Sequence, residues 1–361
     1  MITARRNIMQ QNRQSLLEMI DRPAFTVCDG IITNCNQTAK NRLISPGKPV
    51  AEFMPEGCEA YKNYTGGILY LTLQIGWIRC GATVVRQEGQ DIFLMDRDAD
   101  QAQLQAMSLA AQQLRIPLSN VMTLADCLFP ELKDGTQKEQ AAQMRKALFQ
   151  MLRLISNMAD AERYTGLNEP AYENTELCSF LREIFEKASA SLSNTKVSVQ
   201  FSCPSVPVFT IADRERLERA VYNLISNAVK FSKHGSYVTG KLTVNGKMAC
   251  LTVEDQGDGI APQVQGTLFH RYMREPAIED SRFGLGLGMT MIRTAAAIHG
   301  GTVLLEQHEG TRVAMTIAIR KQAPGPLRSP KLRIGDYAGG RDLGLLEFSE
   351  TLPVSSYEED I

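Results

Sequence analysis

Histidine is scarce and unevenly placed. The 361-residue chain has four, His234, His270, His299 and His308, and none in its first 233 positions. Charge of either sign is not in excess: 39 Lys and Arg face 40 Asp and Glu, for a net charge of −1. That balance offers no electrostatic footprint for nucleic acid or an anionic membrane. Long hydrophobic runs are missing too. The most apolar stretch, Gly66 to Val85, is broken by Gln74 and Arg79 and is too short to span a bilayer. The opening MITARRNIMQQNRQ lacks the apolar core of a secretory signal. Eight cysteines, at 28, 35, 58, 80, 127, 178, 203 and 250, form no CxxC pair, which argues for small core residues rather than disulfides or a zinc site. These absences predict a cytoplasmic protein with no nucleic-acid partner and no membrane span. What is present is ordinary globular composition, 43% hydrophobic and 22% charged, in a length that suits about two or three domains.

Residues 1–22 read as a polar helix. Residues 23–96 change to short apolar runs punctuated by Gly, Pro and Asn, with turn signals at Asp29-Gly30 and Glu88-Gly89 that predict a small sheet domain. The string PAFTVCDGIITNCNQTAKNRL resembles the opening of a PAS sensor domain, a strand pair turning at Asp-Gly and leading through Asn34–Asn36 into a short helix. Such a resemblance implies either an apolar ligand pocket or a role in dimerisation. From 97 to 165 the pattern is helical. Leu104, Met107, Ala111, Leu114, Leu118, Val121, Ala125 and Leu128 step by three and four, as do Ala141, Met144, Leu148, Met151, Ile155 and Met158. Two such seams, joined through Pro130 and Lys133-Asp134-Gly135, predict an antiparallel hairpin. A two-helix unit cannot bury both stripes alone, so a four-helix bundle between two chains is expected. Residues 322–361 form a tail opened by Pro324, Pro326 and Pro330. Its run DLGLLEFSETLP is apolar enough to dock on the body.

Three segments between 170 and 321 carry chemistry. In LERAVYNLISNAVKFSKHG, Leu217, Val221, Leu224, Ala228 and Phe231 share one helical face, while Asn223, Asn227 and Lys230 step along another. Asn is a mediocre helix former; its carbonyl is a neutral oxygen ligand suited to Mg²⁺ that already carries phosphate oxygens, and Lys adds positive charge. In MACLTVEDQGDGIAP a strand ends at Asp255, whose carboxylate suits the exocyclic amine of adenine and would repel the oxygen of guanine. Gly257 and Gly259 permit close backbone approach. In SRFGLGLGMTMIRTAAAIHGG, Gly284, Gly286 and Gly288 lead into an apolar helix, whose backbone N–H groups make a phosphate cradle. No segment has P-loop spacing.

Order and spacing together are more specific than any one segment. The region resembles the ATP-binding domain of the histidine kinase, Hsp90, MutL and gyrase superfamily, with the three segments as its N, G1 and G2 boxes. LFHRYMR, residues 268–274, resembles the F box of histidine kinases, and AIHGGTVLLEQHEGTRVAMTIAI resembles their final helix and two strands. The resemblance implies that Asn223 and Asn227 hold Mg²⁺, Lys230 meets phosphate and Asp255 binds adenine. It further implies that Gly257 and Gly259 line the base pocket, that Gly284, Gly286 and Gly288 cradle phosphates, and that Met273–Phe283 form a lid with Arg282 as a phosphate contact.

One part of the family pattern departs. The hairpin segment that in histidine kinases resembles His-Glu-Leu-Arg-Thr-Pro-Leu is here Gln112-Gln113-Leu114-Arg115-Ile116-Pro117-Leu118. Gln112 occupies the phosphoacceptor position, and an amide nitrogen delocalises its lone pair and cannot attack phosphorus. Gln113 replaces the helper carboxylate and cannot act as a base. Ile116 stands where the family uses Thr or Asn for phosphatase chemistry.

The expected architecture is therefore α+β and multidomain: a PAS-like sensor (23–96), a dimerising hairpin (97–165), an α/β-sandwich ATPase domain (170–321) and the tail. The expected function is an ATP- and Mg²⁺-binding relative of sensor histidine kinases in a two-component pathway. It would be degenerate in autophosphorylation, acting by ATP-gated conformation or on a histidine of another chain, with a response regulator or another kinase as partner. The alternatives are an active autokinase with an acceptor elsewhere and a non-enzymatic dimeric scaffold.

Overall fold

A computed structural model describes residues 17–87, 89–96, 99–160, 169–259, 287–320 and 340–358, with the backbone alone for 99–104 and 160. Strand β1 (Ala24–Cys28) turns into β2 (Ile31–Cys35) at Asp29 and Gly30, both at positive φ (51° and 77°), the conformation a tight hairpin demands. Helix α1 (Gln37–Asn41) follows, capped by Asn36. Asn36 is buried, and its carbonyl oxygen accepts from the N–H groups of Ala24 and Ala39 (3.0 and 2.9 Å). Its amide nitrogen donates to the carbonyls of Leu17, Ile20 and Arg22. One side chain thus ties the incoming segment, the first strand and the first helix together.

After helix α2 (Cys58–Lys62), strands β3 (Ile68–Ile75), β4 (Ile78–Gln87) and β5 (Gln90–Met95) complete a sheet in the order β2-β1-β5-β4-β3. Phe25 stacks on Phe93, with Tyr61 edge-on to the same ring. The Tyr61 hydroxyl donates to buried Asp91 at 2.6 Å, and Arg86 grips that carboxylate through two nitrogens.

Helices α3 (Ala99–Leu128) and α4 (Gly135–Asp160) are joined by a single 3₁₀ turn containing Pro130. They run antiparallel: Ser108 near the start of α3 donates to the Ala159 carbonyl, and Asp126 near its end meets Arg145. Their seams divide in a regular way. Ala111, Leu118, Ala125, Ala141, Leu148 and Ile155 are buried, whereas the intervening Leu114, Val121, Leu128, Met144 and Met151 are exposed. The expected stripe therefore closes only on alternate members within one chain.

The remaining residues supply β6 (Tyr172–Glu176), α5 (Leu177–Ser191), β7 (Ser198–Ser202), β8 (Phe209–Asp213), α6 (Arg214–Phe231), β9 (Tyr237–Asn245), β10 (Met248–Glu254), α7 (Leu287–Ile298), β11 (Val303–Gln307), β12 (Thr311–Ala318) and α8 (Leu343–Glu347). The strand pair β6-β8 stands apart, and β11-β12-β10-β9-β7 form a five-stranded layer with α5, α6 and α7 on it. A feature with no counterpart in the sequence pattern is the antiparallel pairing of β3 with β11, in register Tyr70↔Val303 to Ile68↔Leu305. It fuses the two five-stranded layers into one ten-stranded sheet. Two apolar edges satisfy each other's backbone groups there, which removes an edge-strand liability from both.

Candidate functional site

Helix α6 begins with Asp213 as its cap, accepting from the Arg216 N–H. Its apolar face, Leu217, Val221, Leu224 and Ala228, is buried against the sheet and α5. Asn223, Asn227 and Lys230 share a second face, of which Asn223 and Asn227 meet α7. Asn223 is buried; its amide nitrogen donates to the Arg219 carbonyl (2.9 Å) and to the Met291 sulfur (3.4 Å). That orientation leaves its carbonyl oxygen turned to Gly288, where an added Cβ would lie 2.9 Å from Asn223 Oδ1 and 3.8 Å from Asn227 Nδ2. Gly288 is therefore required for the close packing of α7 on this face. The carbonyl of Asn223 and the half-buried Asn227 are oxygen donors of the kind Mg²⁺ accepts. Among the described residues there is no group of three or more His, Cys, Asp and Glu that would hold a metal by itself.

Asp255 follows β10 and is 6% exposed. Its Oδ1 accepts the N–H groups of Gly257 (2.8 Å) and Thr311 (3.1 Å). Burial raises its pKa, and these two donors counter part of the rise. Both backbone donors act on Oδ1, and the Thr311 hydroxyl adds a further hydrogen bond to the carboxylate. Gly257 presses on the end of α6: a Cβ there would fall 2.3 Å from the Phe231 carbonyl oxygen, and Ser232 and Gly257 pair as an isolated bridge. Gly259 sits at φ +75° beside the Gln307 side chain, and the exposed Asp258 meets Lys233 at 3.1 Å.

The structure thus brings Asn223, Asn227 and Gly288 together where α6 meets α7, and Asp255 and Gly257 against the end of α6, while the Lys230 ammonium, in the last turn of α6, is held by Glu350. Arg282, Gly284, Gly286 and the lid segment Met273–Phe283 lie outside the described residues, as does the 268–274 segment. Gln112 and Gln113 are both exposed on α3, beside the buried Ala111.

Residues 212–321 match the family described as histidine kinase-, DNA gyrase B-, and HSP90-like ATPase. Histidine kinase P4 of Formosa agariphila is 26% identical over 270 residues, covering 72% of this chain and 19% of that protein. The sensor-like histidine kinase SenX3 of Mycobacterium tuberculosis is 26% identical over 260 residues, covering 67% of this chain and 62% of its own. The MprB kinase/phosphatase of Mycolicibacterium vanbaalenii is 28% identical over 217 residues, 58% of this chain and 44% of that one. The chain is thus similar to sensor histidine kinases, and its residues 212–321 match their ATPase family. It spans less than two thirds of the length of these relatives. In fold, the chain is similar to full-length ShkA in complex with AMPPNP, with a TM-score of 0.50 and 21% identity over 61% of this chain and 47% of that one.

Contributors from three parts of the chain escaped the sequence reading. Gly310 and Thr311 sit at the β11-β12 tip, and a Cβ on Gly310 would stand 2.1 Å from the Asp255 carbonyl oxygen. The Glu309-Gly310 dipeptide, a turn signal between two strands, was the available hint. Arg153 of α4 donates to Ser226 of α6 at 2.9 Å, and Arg219 donates to Asn157 at 2.7 Å, so the hairpin packs directly on the nucleotide-side helix. Glu350, from the C-terminal segment, pairs with Lys230; nothing in the local pattern near Glu350 signals that contact.

Proposed function

We propose that residues 170–321 bind Mg·ATP and that the chain works in a two-component signalling pathway whose phosphoacceptor lies outside its own hairpin. The observation that carries this reading is the geometry at Asp255. A buried carboxylate is held in place by the backbone N–H groups of Gly257 and Thr311 and by the Thr311 hydroxyl, which fixes it to accept from an exocyclic amine such as that of adenine. Asn227 and the carbonyl of Asn223 would hold Mg²⁺, and the bound ion would supply positive charge to the nucleotide's phosphate oxygens. Lys230 would meet phosphate. Gly257 and Gly259 would line the base pocket, with Gly284, Gly286, Gly288 and Arg282 toward the phosphates.

In the ordinary family scheme an imidazole on α3 attacks the terminal phosphorus. Here position 112 carries an amide, so the chain would either gate a partner by ATP-dependent conformation or deliver phosphate to a histidine of another chain, such as a second kinase. A response regulator is the expected downstream partner. The sheet order β2-β1-β5-β4-β3, with two short helices between β2 and β3, supports a PAS-like sensor at 23–96. The division of each hairpin seam into buried and exposed members supports a four-helix bundle in a homodimer, because a second hairpin would cover the exposed half.

Calorimetry and radiolabelled ATP test the reading. Mg·ATP should bind, and both Asp255→Ala and Asn227→Ala should weaken it. The native chain should form no acid-labile phosphohistidine, whereas Gln112→His should gain some label and Gln112→His with Gln113→Glu more, by up to about 10²-fold. Unchanged affinity in both binding variants would sink the site. Label on the unmodified protein would overturn the degenerate acceptor and point to one of the four native histidines.

A further inference from the structure

The segment 340–358 makes a strap across two elements. Leu346, Phe348, Leu352 and Tyr357 are each no more than 1% exposed. Phe348 packs edge-on against Tyr222 of α6, and Tyr357 against Phe149 of α4. Polar contacts follow the same two helices. From α4, Lys146 donates to the Leu352 carbonyl (2.6 Å) and Gln150 to the Ser349 carbonyl (3.1 Å). Arg341 pairs with Asp126 of α3 at 2.7 Å. Arg153 lies 3.5 Å from Glu347 and 3.6 Å from Glu350. Glu350 is also the partner of Lys230, at a side-chain exposure of 11% for the lysine and 28% for the glutamate.

We propose that Glu350 is a built-in competitor for the nucleotide's phosphates: its carboxylate occupies Lys230 until Mg·ATP displaces it. The inference rests on the reading of Lys230 as a phosphate contact. A carboxylate and a phosphate oxygen are both anionic acceptors, and a lysine ammonium in a half-buried position cannot serve both fully at the same point. Displacement does not require the strap to leave. Its apolar anchors remain, and Arg153 already stands beside Glu350 as an alternative cation. ATP binding would therefore shift Glu350 from the ATPase helix α6 onto Arg153 of the hairpin helix α4. It would load charge at the junction through which these two elements touch. The occupancy of the nucleotide site is in this way communicated to the hairpin by a residue outside both.

The test uses the full chain, with Mg·ATP as the titrant in calorimetry. Glu350→Gln, which keeps the shape of the side chain and removes the charge, should tighten ATP by about fivefold, the size of a partly screened ion pair. Lys230→Met should weaken ATP, and the gain from Glu350→Gln should vanish in the Lys230→Met background. Hydrogen exchange on the unmodified protein gives a second readout. Because the apolar anchors stay, amides 345–352 should keep their protection when ATP is bound, and faster exchange there would overturn the change of partner on a fixed strap. If Lys230→Met weakens ATP while Glu350→Gln leaves affinity unchanged or lowers it, the competitor is wrong and the nucleotide site stands. If Lys230→Met, Asn227→Ala and Asp255→Ala all leave ATP affinity unchanged, the nucleotide reading falls and takes this inference with it.

Discussion

Asn36 and Gly310 illustrate how single residues hold this molecule in shape for opposite reasons. Asn36 is indispensable for what its side chain does: its oxygen accepts from two backbone N–H groups and its two amide hydrogens are shared among three carbonyls, so its replacement leaves buried donors and acceptors unpaired. We expect Asn36→Leu to destabilise the protein by about 3 kcal/mol, read as a lower midpoint in urea denaturation; a midpoint within error of the native one would refute the role. Gly310 matters for what it lacks. Any Cβ there collides with the Asp255 backbone, so Gly310→Ala should push the β11-β12 tip away and carry the Thr311 N–H off Asp255 Oδ1. The expected result is weaker ATP binding together with a loss of about 2 kcal/mol in stability, both measurable on the same preparation. Loss of stability with ATP affinity intact would show that Thr311 does not orient the carboxylate.

Helix α6 carries its own pH dependence. Glu218 lies on it, buried, and burial followed by the nearby charges pushes its pKa up from 4.5 to about 8, with Glu347 adding to the rise and Lys187 opposing it. The folded state therefore keeps this proton over a range where the unfolded chain releases it. Stability from this group is present in full below about pH 4.5 and is lost as pH climbs toward about 8. Glu218→Gln is neutral at every pH, so its stability curve should be flat over that interval where the native curve falls. Parallel curves for the two proteins would dispose of the assignment. At the next element, Arg293 of α7 is fully buried, pairs with Asp96 at 3.3 Å and lies over the Tyr70 ring. It joins the end of the first domain to the helix that packs on Asn223.

For the molecule as a whole, the proposed homodimer rests on the unclosed half of the hairpin. Val121, Leu124, Leu128 and Met151 are exposed on α3 and α4, a stripe that water solvates poorly and a second hairpin would bury. Light scattering should find a dimer. Leu124→Glu, which disturbs no contact of the buried half, should give a folded monomer with an unchanged circular dichroism spectrum. A native monomer would defeat the bundle. The strap and the β3-β11 pairing belong to the same scale. They fasten the hairpin and the first sheet to the second five-stranded layer, so the three parts are mechanically continuous.

Much of this was legible along the chain because it depends on local periodicity and turn chemistry. The Asp29-Gly30 turn, the two hairpin helices, the buried face of α6 and the strand leading into Asp255 all follow from residues within one or two turns of each other. The packing of Asn223 and Asn227 on Gly288, and of Asp255 beside Gly257, joins residues that the sequence had linked through a spacing pattern resembling a known superfamily. Only the tertiary structure decided which half of each hairpin stripe closes within the chain, because alternate seam positions are equivalent in hydrophobicity and differ only in which neighbour reaches them. It alone decided that Glu350 meets Lys230, across 120 positions of sequence, and that β3 meets β11. Such contacts join backbone edges and single charges that carry no local signature, and they form because packing brings complementary groups together once the elements have assembled.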